Sequence, residues 1–203
     1  MQKIETRFNS ALKFIAQYYP HHLNNFVNDF HQETTWLIEE LSKIETKTNN
    51  ILLLGSRYGN IVRFLVDNIQ GIESIDCVDM DRDALNISTF LFGAAGKYKN
   101  VIISHIENDI NFMSFDAFSP DIVINKNCDR MFPMSEIKFD NNPLYVLQSS
   151  NMISERENVN CVNNAAELAQ QANIEHIYMK GFNDMVSEQL IDFKKFMVIG
   201  KMA

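Results

Sequence analysis

The sequence predicts an α/β fold built around a mostly parallel sheet, and three observations predict it. Apolar runs of strand length recur along the chain, beginning at residues 51–54. Segments with apolar residues at helical spacing stand between most of these runs. Glycine or a helix-capping residue marks many of the junctions. Such an alternation favours parallel strands joined by right-handed crossovers.

A helical layer is predicted ahead of the first strand, over residues 1–47. One helical pattern covers residues 4–19, Pro20 interrupts it, and a second covers residues 21–44 as one long helix or two short ones. The aromatic residues of this layer suit either a lid over a pocket or, at their helical spacing, core positions. His21 and His22 are adjacent and are expected to point apart on a helix, so no metal site is predicted.

Seven strands are predicted in the remaining domain, residues 48–203. A turn at residues 181–184 separates the last two, and a link this short favours an antiparallel last strand at the sheet edge or beside a neighbour. Asp81 is expected to cap the second of three helices with its side-chain oxygen. The strands are predicted at 51–54, 74–79, 101–105, 121–125, 143–148, 174–179 and 193–201, and the helices at 59–69, 82–92 and 163–172.

Composition narrows the classes of function. The 203 residues carry a net charge of −8, from 18 basic and 26 acidic side chains, so nucleic acid is an unlikely partner. Cys77, Cys128 and Cys161 are odd in number and widely spaced, which matches neither a zinc site nor a disulfide framework. No run approaches the about 20 apolar residues of a membrane span. A reducing cytoplasm is the expected location, and the oligomeric state stays open.

A glycine turn follows the first predicted strand, at residues 55–59. The dinucleotide fingerprint G-x-G-x-x-G needs further glycines at two positions, where Arg57 and Asn60 stand instead. The second predicted strand ends at Asp79, whose carboxylate is placed to accept hydrogen bonds from ribose hydroxyls. The pattern therefore predicts a nucleoside-containing cofactor other than a dinucleotide.

The turn resembles motif I of the class I S-adenosylmethionine-dependent methyltransferases. Residues 78–85 resemble motif II of that family, residues 108–110 its adenine-binding segment, and residues 121–125 its motif IV. The resemblance covers residues 48–203. It implies a Rossmann-like, seven-stranded, mostly parallel sheet with an antiparallel last strand, and S-adenosyl-L-methionine as cofactor. The cofactor-binding residues that it implies are Gly55, Ser56, Arg57, Gly59, Asp79, Met80, Asp109, Ile110 and Asn125.

Two residues depart from motif I. Leu53 stands where the family has an acid that positions the cofactor's amino group, and Arg57 replaces the central glycine. Arg57 either contacts the cofactor carboxylate, crowds the site or points to solvent from the turn.

A looser resemblance connects the later segments to small bacterial and viral methyltransferase-like proteins. It suggests Asp129, Gln148 and Asn151 as polar groups on the substrate side, and the lid suggests Tyr19 as a further substrate contact. Asp129 is also the candidate catalytic base for a nucleophile that arrives protonated. Capping of ordinary loops by Asn, Ser and Asp is the alternative interpretation.

The leading hypothesis is methyl transfer from S-adenosylmethionine to a small molecule. The sulfonium already activates the methyl group, so the protein needs mainly to align and desolvate the reactants. Two alternatives stay open: transfer of the cofactor's aminocarboxypropyl arm, as in nicotianamine-type synthases, and a non-catalytic binding protein with a degenerate methyltransferase fold.

Overall fold

The computed structural model describes residues 2–28, 32–93, 96–154, 156–186 and 192–203, and shows a twisted sheet between helical layers. All seven predicted strands are present, together with a short extra strand at the edge. The strands are β1 (Asn50–Leu54), β2 (Ser74–Asp79), β3 (Lys97–Tyr98), β4 (Val101–Glu107), β5 (Ile122–Asn125), β6 (Leu144–Ser150), β7 (Ile174–Val186) and β8 (Asp192–Met202). The helices are α1 (Gln2–Tyr18), α2 (Leu23–Asn28), α3 (Gln32–Leu41), α4 (Asn60–Asn68), α5 (Arg82–Phe92) and α6 (Ala165–Gln171), with 3-10 turns at Pro20–His22, Cys128–Arg130 and Met134–Glu136.

The strand order is β3-β4-β2-β1-β5-β6-β8-β7. Strands β4, β2, β1, β5 and β6 pair in parallel, and β8 inserts antiparallel between β6 and β7. The predicted parallel sheet with an antiparallel last strand is therefore confirmed. The chain order reverses direction beside β1, and ligands of open parallel sheets bind beyond the strand ends at such a point.

The sheet is buried on both faces, which explains why its central strands are apolar along their whole length. Leu53 of β1 packs under α3 and α4, while Leu52 and Leu54 pack on the opposite layer. Each of these three side chains is at most 1% exposed. The central strands are thereby held rigidly, and the segments that follow them are presented at one edge.

The prediction of a turn at residues 181–184 is wrong, because β7 continues to Val186. Gly181 pairs with Met197 and Phe182 with Phe196 along a long antiparallel hairpin. Asn183 and Asp184 are common turn residues, but here they lie on an edge strand, where polar side chains meet water at little cost. Residues 187–191, which complete the link to β8, lie outside the described residues.

The N-terminal helices pack on the sheet domain in two places. Ala11 and Ile15 of α1 pack in a cluster with Phe26 and with residues of α5. Leu37 and Leu41 of α3 join the main core. The second predicted helix is divided into a 3-10 turn, α2 and α3, and its residues 29–31 lie outside the described part of the chain. Among the described helices, none is both long and apolar enough to cross a membrane.

Candidate functional site

A cleft of about 580 Å³ opens at the carboxyl ends of β1, β2 and β4. The 3-10 turn at Pro20–His22 and α2 contribute to its wall, so the N-terminal layer borders the cleft. Its walls combine polar groups with apolar surface from Tyr58, Met80, Ile110 and Met131. The lining residues are His22, Asn25, Gly55, Arg57, Tyr58, Asp79, Met80, Asp81, Asn108, Asp109, Ile110, Asn111, Asn127, Arg130, Met131 and Glu157.

The turn after β1 is tied to the end of β2 through its backbone. Ser56 N donates to Val78 O at 3.0 Å, and Arg57 N donates to Asp79 Oδ2 at 2.6 Å. Arg57 has φ of +48°, in the left-handed region that glycine adopts more readily. The positive φ at this position thus explains why motif I has a glycine there. Arg57 holds this conformation with its guanidinium 5.4 Å from the Tyr58 ring centroid, within range of a cation–π interaction.

Gly59 ends the turn and begins α4 with φ of +69°. A Cβ at this position would collide with Ser88 and press against Phe92, both on α5. The absence of a side chain thus lets the turn approach α5 closely. Gly59 itself does not line the cleft, so its role in the described structure is to shape the turn.

Asp79 lies at the floor of the cleft and is 7% exposed. Its Oδ1 accepts from Asp81 N at 2.9 Å, while Oδ2 holds the Arg57 amide. Burial raises the pKa of the Asp79 carboxyl, and hydrogen bonds from the Asp81 and Arg57 amides act against that rise. A carboxylate has about four lone-pair sites, so Asp79 keeps acceptor capacity for a ligand.

The segment after β4 adds further polar groups to the cleft. Asp109 Oδ1 accepts from the backbone and side-chain nitrogens of Asn111, at 2.9 and 3.0 Å. Ile110 is 7% exposed and offers an apolar surface to the cleft, as does Met80, which is 69% exposed. Asn108 N donates to Asp79 O at 3.0 Å, which ties this segment to β2.

A small polar recess of about 20 Å³ adjoins the cleft beside Leu53. It shares Gly55, Arg57 and Asn127 with the cleft and adds the side chains of Glu33 and Lys126. Ser56 Oγ, also in the recess, is buried without a hydrogen-bond partner in the described part of the chain. A volume of this size holds one water-sized polar group.

Glu33 belongs to a buried cluster of charges between α3 and the sheet. Lys126 Nζ lies 3.6 Å from Glu33 Oε1, and Lys195 Nζ lies 3.7 Å from Glu33 Oε2 and 4.0 Å from Asp129 Oδ2. Lys126 Nζ also donates to Thr34 Oγ1 at 2.7 Å. These contacts fasten the first turn of α3 over the ends of β5 and β8.

The sequence-predicted site residues fall into two groups. Gly55, Arg57, Asp79, Met80, Asp109 and Ile110 line the cleft, and Ser56 lines the recess. The described lining of the cleft includes none of Gly59, Asn125, Asp129, Gln148, Asn151 and Tyr19.

The residues of the second group have other contacts. Asn125 is fully buried and donates to the sulfurs of Met131 and Met134. Gln148 donates to Glu33 O at 3.1 Å, and Asn151 Oδ1 accepts from Lys194 N at 2.8 Å.

The remaining two residues of that group lie apart from the cleft. Asp129 is 4% exposed and accepts a hydrogen bond from Ser150 Oγ. Tyr19 packs on Phe14, and its hydroxyl accepts from Asn86 Nδ2 at 3.3 Å.

Sequence patterns assign no role to Tyr58, Glu33 or Lys126, and they place His22 only in a lid over the pocket or in the core. Pro20–His22 forms a short 3-10 turn, so the expectation that His21 and His22 point apart on an α-helix is wrong. Their ring centroids lie 4.3 Å apart. His22 Nδ1 lies 2.9 Å from the Tyr58 hydroxyl, which joins the N-terminal layer to the glycine turn.

No protein-family model matches the chain, and no curated protein matches its sequence at a significant level. Solved structures do match. The methyltransferase of a Haloferax volcanii complex with the Trm112 methyltransferase activator has a TM-score of 0.64 at 14% identity, covering 89% of this chain and 92% of that one. The N-methyltransferase NodS from Bradyrhizobium japonicum has a TM-score of 0.60 at 13% identity, over 88% and 98% of the two chains.

A third similar structure, the plantazolicin methyltransferase BpumL, contains S-adenosylhomocysteine and a substrate analogue. It matches with a TM-score of 0.56 at 11% identity, over 100% of this chain and 98% of that one. The chain has the class I methyltransferase fold. Its cleft lies beyond the carboxyl ends of the parallel strands, where open α/β sheets bind ligands.

Proposed function

We propose that the protein is a methyltransferase that uses S-adenosyl-L-methionine and acts on a small molecule. The observation that carries this proposal is the position of Asp79, which ends β2 inside the cleft and is bonded to the turn after β1. Fold similarity to methyltransferases supports the reaction class.

The adenosine half of the cofactor suits the cleft between the ends of β2 and β4. Asp79 would accept hydrogen bonds from the ribose hydroxyls, and Asp109 from the adenine amine. Ile110 and Met80 supply apolar surface for the adenine ring. Tyr58 and His22 close the wall on the side of the N-terminal layer.

The ammonium group at the amino-acid end of the cofactor suits the polar recess. Leu53 cannot position an ammonium group, but the Glu33 carboxylate lines the same recess from α3. An ammonium group is about as large as a water molecule, which the recess can hold. Lys126 and Arg57 supply positive charge for the cofactor carboxylate. Glu33 therefore replaces, from another element, the acid that β1 lacks.

Methyl transfer needs little acid–base catalysis from the protein, because the sulfonium is already an activated donor. What the chain must supply is alignment and exclusion of water. Arg130 Nη1 and Glu157 Oε2 form an ion pair of 2.9 Å at the cleft wall. His22 and Asn25 line the cleft on the side of the N-terminal layer. A cleft of about 580 Å³ with walls on these sides favours a small acceptor. Asp129 is engaged by Ser150 and Lys195, so proton transfer through it is not required by the proposal.

Calorimetric titration with S-adenosylmethionine and S-adenosylhomocysteine tests the cofactor. We expect both to bind. Absence of binding at millimolar concentration would instead favour a non-catalytic protein with a degenerate methyltransferase fold. Product analysis with S-adenosylmethionine and pools of small acceptors then tests the reaction. S-adenosylhomocysteine as product supports methyl transfer, whereas methylthioadenosine would establish transfer of the aminocarboxypropyl arm instead.

The variant Asp79→Asn is expected to weaken S-adenosylhomocysteine binding by about 1–3 kcal/mol, because an amide accepts fewer and weaker hydrogen bonds than a carboxylate. The exposed Asp116→Asn, remote from the cleft lining, is the matched control. Equal affinity of Asp79→Asn and wild type would remove Asp79 from the site.

Because Asp79 is titratable, we also expect the affinity for S-adenosylhomocysteine to depend on pH. Protonation removes an acceptor, so affinity should fall as pH is lowered through the pKa of Asp79. Because burial raises that pKa, the loss should begin at a higher pH than for an ordinary aspartate. Titrations from neutral to mildly acidic pH check this, and Asp79→Asn should show a smaller dependence. A wild-type slope that persists fully in the variant would contradict the prediction.

A further inference from the structure

Two histidines and one aspartate converge where the N-terminal layer meets α5. His21 Nε2 lies 3.8 Å from Asp83 Oδ2, and His22 Nε2 lies 3.9 Å from the same oxygen. The three potential ligand atoms all lie within 4.8 Å of one another. Among the residues that the structure describes, this is the one group of three such side chains with that spacing.

We propose that His21, His22 and Asp83 bind a divalent transition-metal ion, with zinc the best match to two imidazoles and a carboxylate. Zinc takes imidazole nitrogens and carboxylate oxygens at about 2.0–2.2 Å. A tetrahedral ion with such bonds holds its ligand atoms about 3.3–3.5 Å apart. The two separations to Asp83 Oδ2 therefore need to close by about half an ångström. The two histidine nitrogens, at most 4.8 Å apart, need to close by up to about 1.5 Å, which rotation of the exposed His21 side chain can provide.

The orientation of His22 suits metal binding. Its Nδ1 lies 2.9 Å from the Tyr58 hydroxyl, which leaves Nε2 directed at Asp83. Metal-bound histidines commonly engage their second nitrogen in a hydrogen bond that fixes the ring. Tyr58 is 1% exposed and His22 is 8% exposed, so this side of the site is held in place by packing.

The other two ligands complete an accessible site. His21 is exposed and Asp83 is partly exposed in the first turn of α5, so an ion can enter from solvent. Three protein ligands leave a fourth position for water. The ion would join the 3-10 turn to α5 and so hold the N-terminal layer against the cleft wall that His22 and Tyr58 form.

Calorimetric titration of the tag-free chain with zinc chloride, after removal of metals with a chelator, tests the site. We expect one zinc ion per chain, and at least tenfold weaker binding by His21→Ala and by Asp83→Asn. His176→Ala removes an exposed histidine on β7 and should bind zinc as the wild type does. Both test positions are at least partly exposed, so these variants should fold.

A thermal measurement gives a second readout. Zinc should raise the melting temperature of the wild type and His176→Ala by a few degrees, because a ligand that binds the folded state stabilises it. The increase should vanish in His21→Ala and Asp83→Asn. Absence of binding at millimolar zinc, or equal binding by either of these variants and the wild type, would overturn the proposal. Neither result depends on whether S-adenosylmethionine binds the cleft.

Discussion

Replacing Lys195 by methionine is expected to lower the free energy of unfolding by about 3–5 kcal/mol, the usual cost of breaking a buried ion pair from one side. Lys195 is 5% exposed and lies between Glu33 and Asp129. Methionine fills a similar volume but leaves both carboxylates without this cation. Chemical denaturation of the wild type and of Lys195→Met at neutral pH measures the difference.

The protonation of Lys195 supports this expectation. Burial acts to lower its pKa, but the carboxylates of Glu33 and Asp129 outweigh burial and raise the pKa above the ordinary lysine value. A lysine whose pKa is raised by folding contributes stability that is fully present below its unfolded pKa and is lost as pH rises through the folded pKa. Lys195 is therefore charged at neutral pH, and its contribution should fade only in strongly alkaline solution.

Lys194→Met is the matched control, because Lys194 is the exposed neighbour on the same strand. It should cost less than about 1 kcal/mol, as surface positions usually do. Adding Glu33→Gln to Lys195→Met should recover part of the loss by removing one uncompensated charge. If Lys195→Met costs no more than Lys194→Met, the buried cluster does not stabilise the fold in the way argued.

The second large effect concerns Glu33 and rests on the proposed function. Glu33→Gln is expected to weaken binding of S-adenosylhomocysteine about 10–100-fold, the scale for losing a hydrogen bond to a charged group. Methylthioadenosine lacks the amino-acid end, so its affinity should change by less than about threefold. Calorimetry with the two ligands measures the difference directly.

Methylthioadenosine also serves as an internal control for folding. Glu33 contacts two lysines, so the variant is expected to lose some stability. A damaged fold, however, would lower the affinity for both ligands together. Glu39→Gln, an exposed position on the same helix, should leave both affinities unchanged. Equal losses for the two ligands, or no loss for S-adenosylhomocysteine, would remove Glu33 from the recess.

Local patterns in the sequence were sufficient for the sheet and the glycine turn. The apolar residues of β1, the turn at Gly55 and the acid at Asp79 lie close together in the chain, and each has a local physical cause. The cap at Asp81 is likewise confirmed, since its side chain accepts from Ala84 N at 3.0 Å. These features depend on short-range geometry, which a sequence displays directly.

Long-range placement was not predictable in the same way. Glu33, Lys126 and Lys195 come from three distant segments, and nothing near any of them in the sequence indicates that folding brings them together. The extent of β7 was missed because Gly181 and Asp184 suit a turn as well as an edge strand. His21 and His22 converge only because Pro20 begins a 3-10 turn in place of a long helix.

A crystal structure with S-adenosylhomocysteine would show directly whether the cleft and the recess bind the cofactor as proposed. We expect the ribose hydroxyls within hydrogen-bond distance of Asp79, and the ligand's ammonium group in the recess beside Glu33. Adenosine bound away from Asp79, or an amino-acid end directed away from the Glu33 recess, would contradict it.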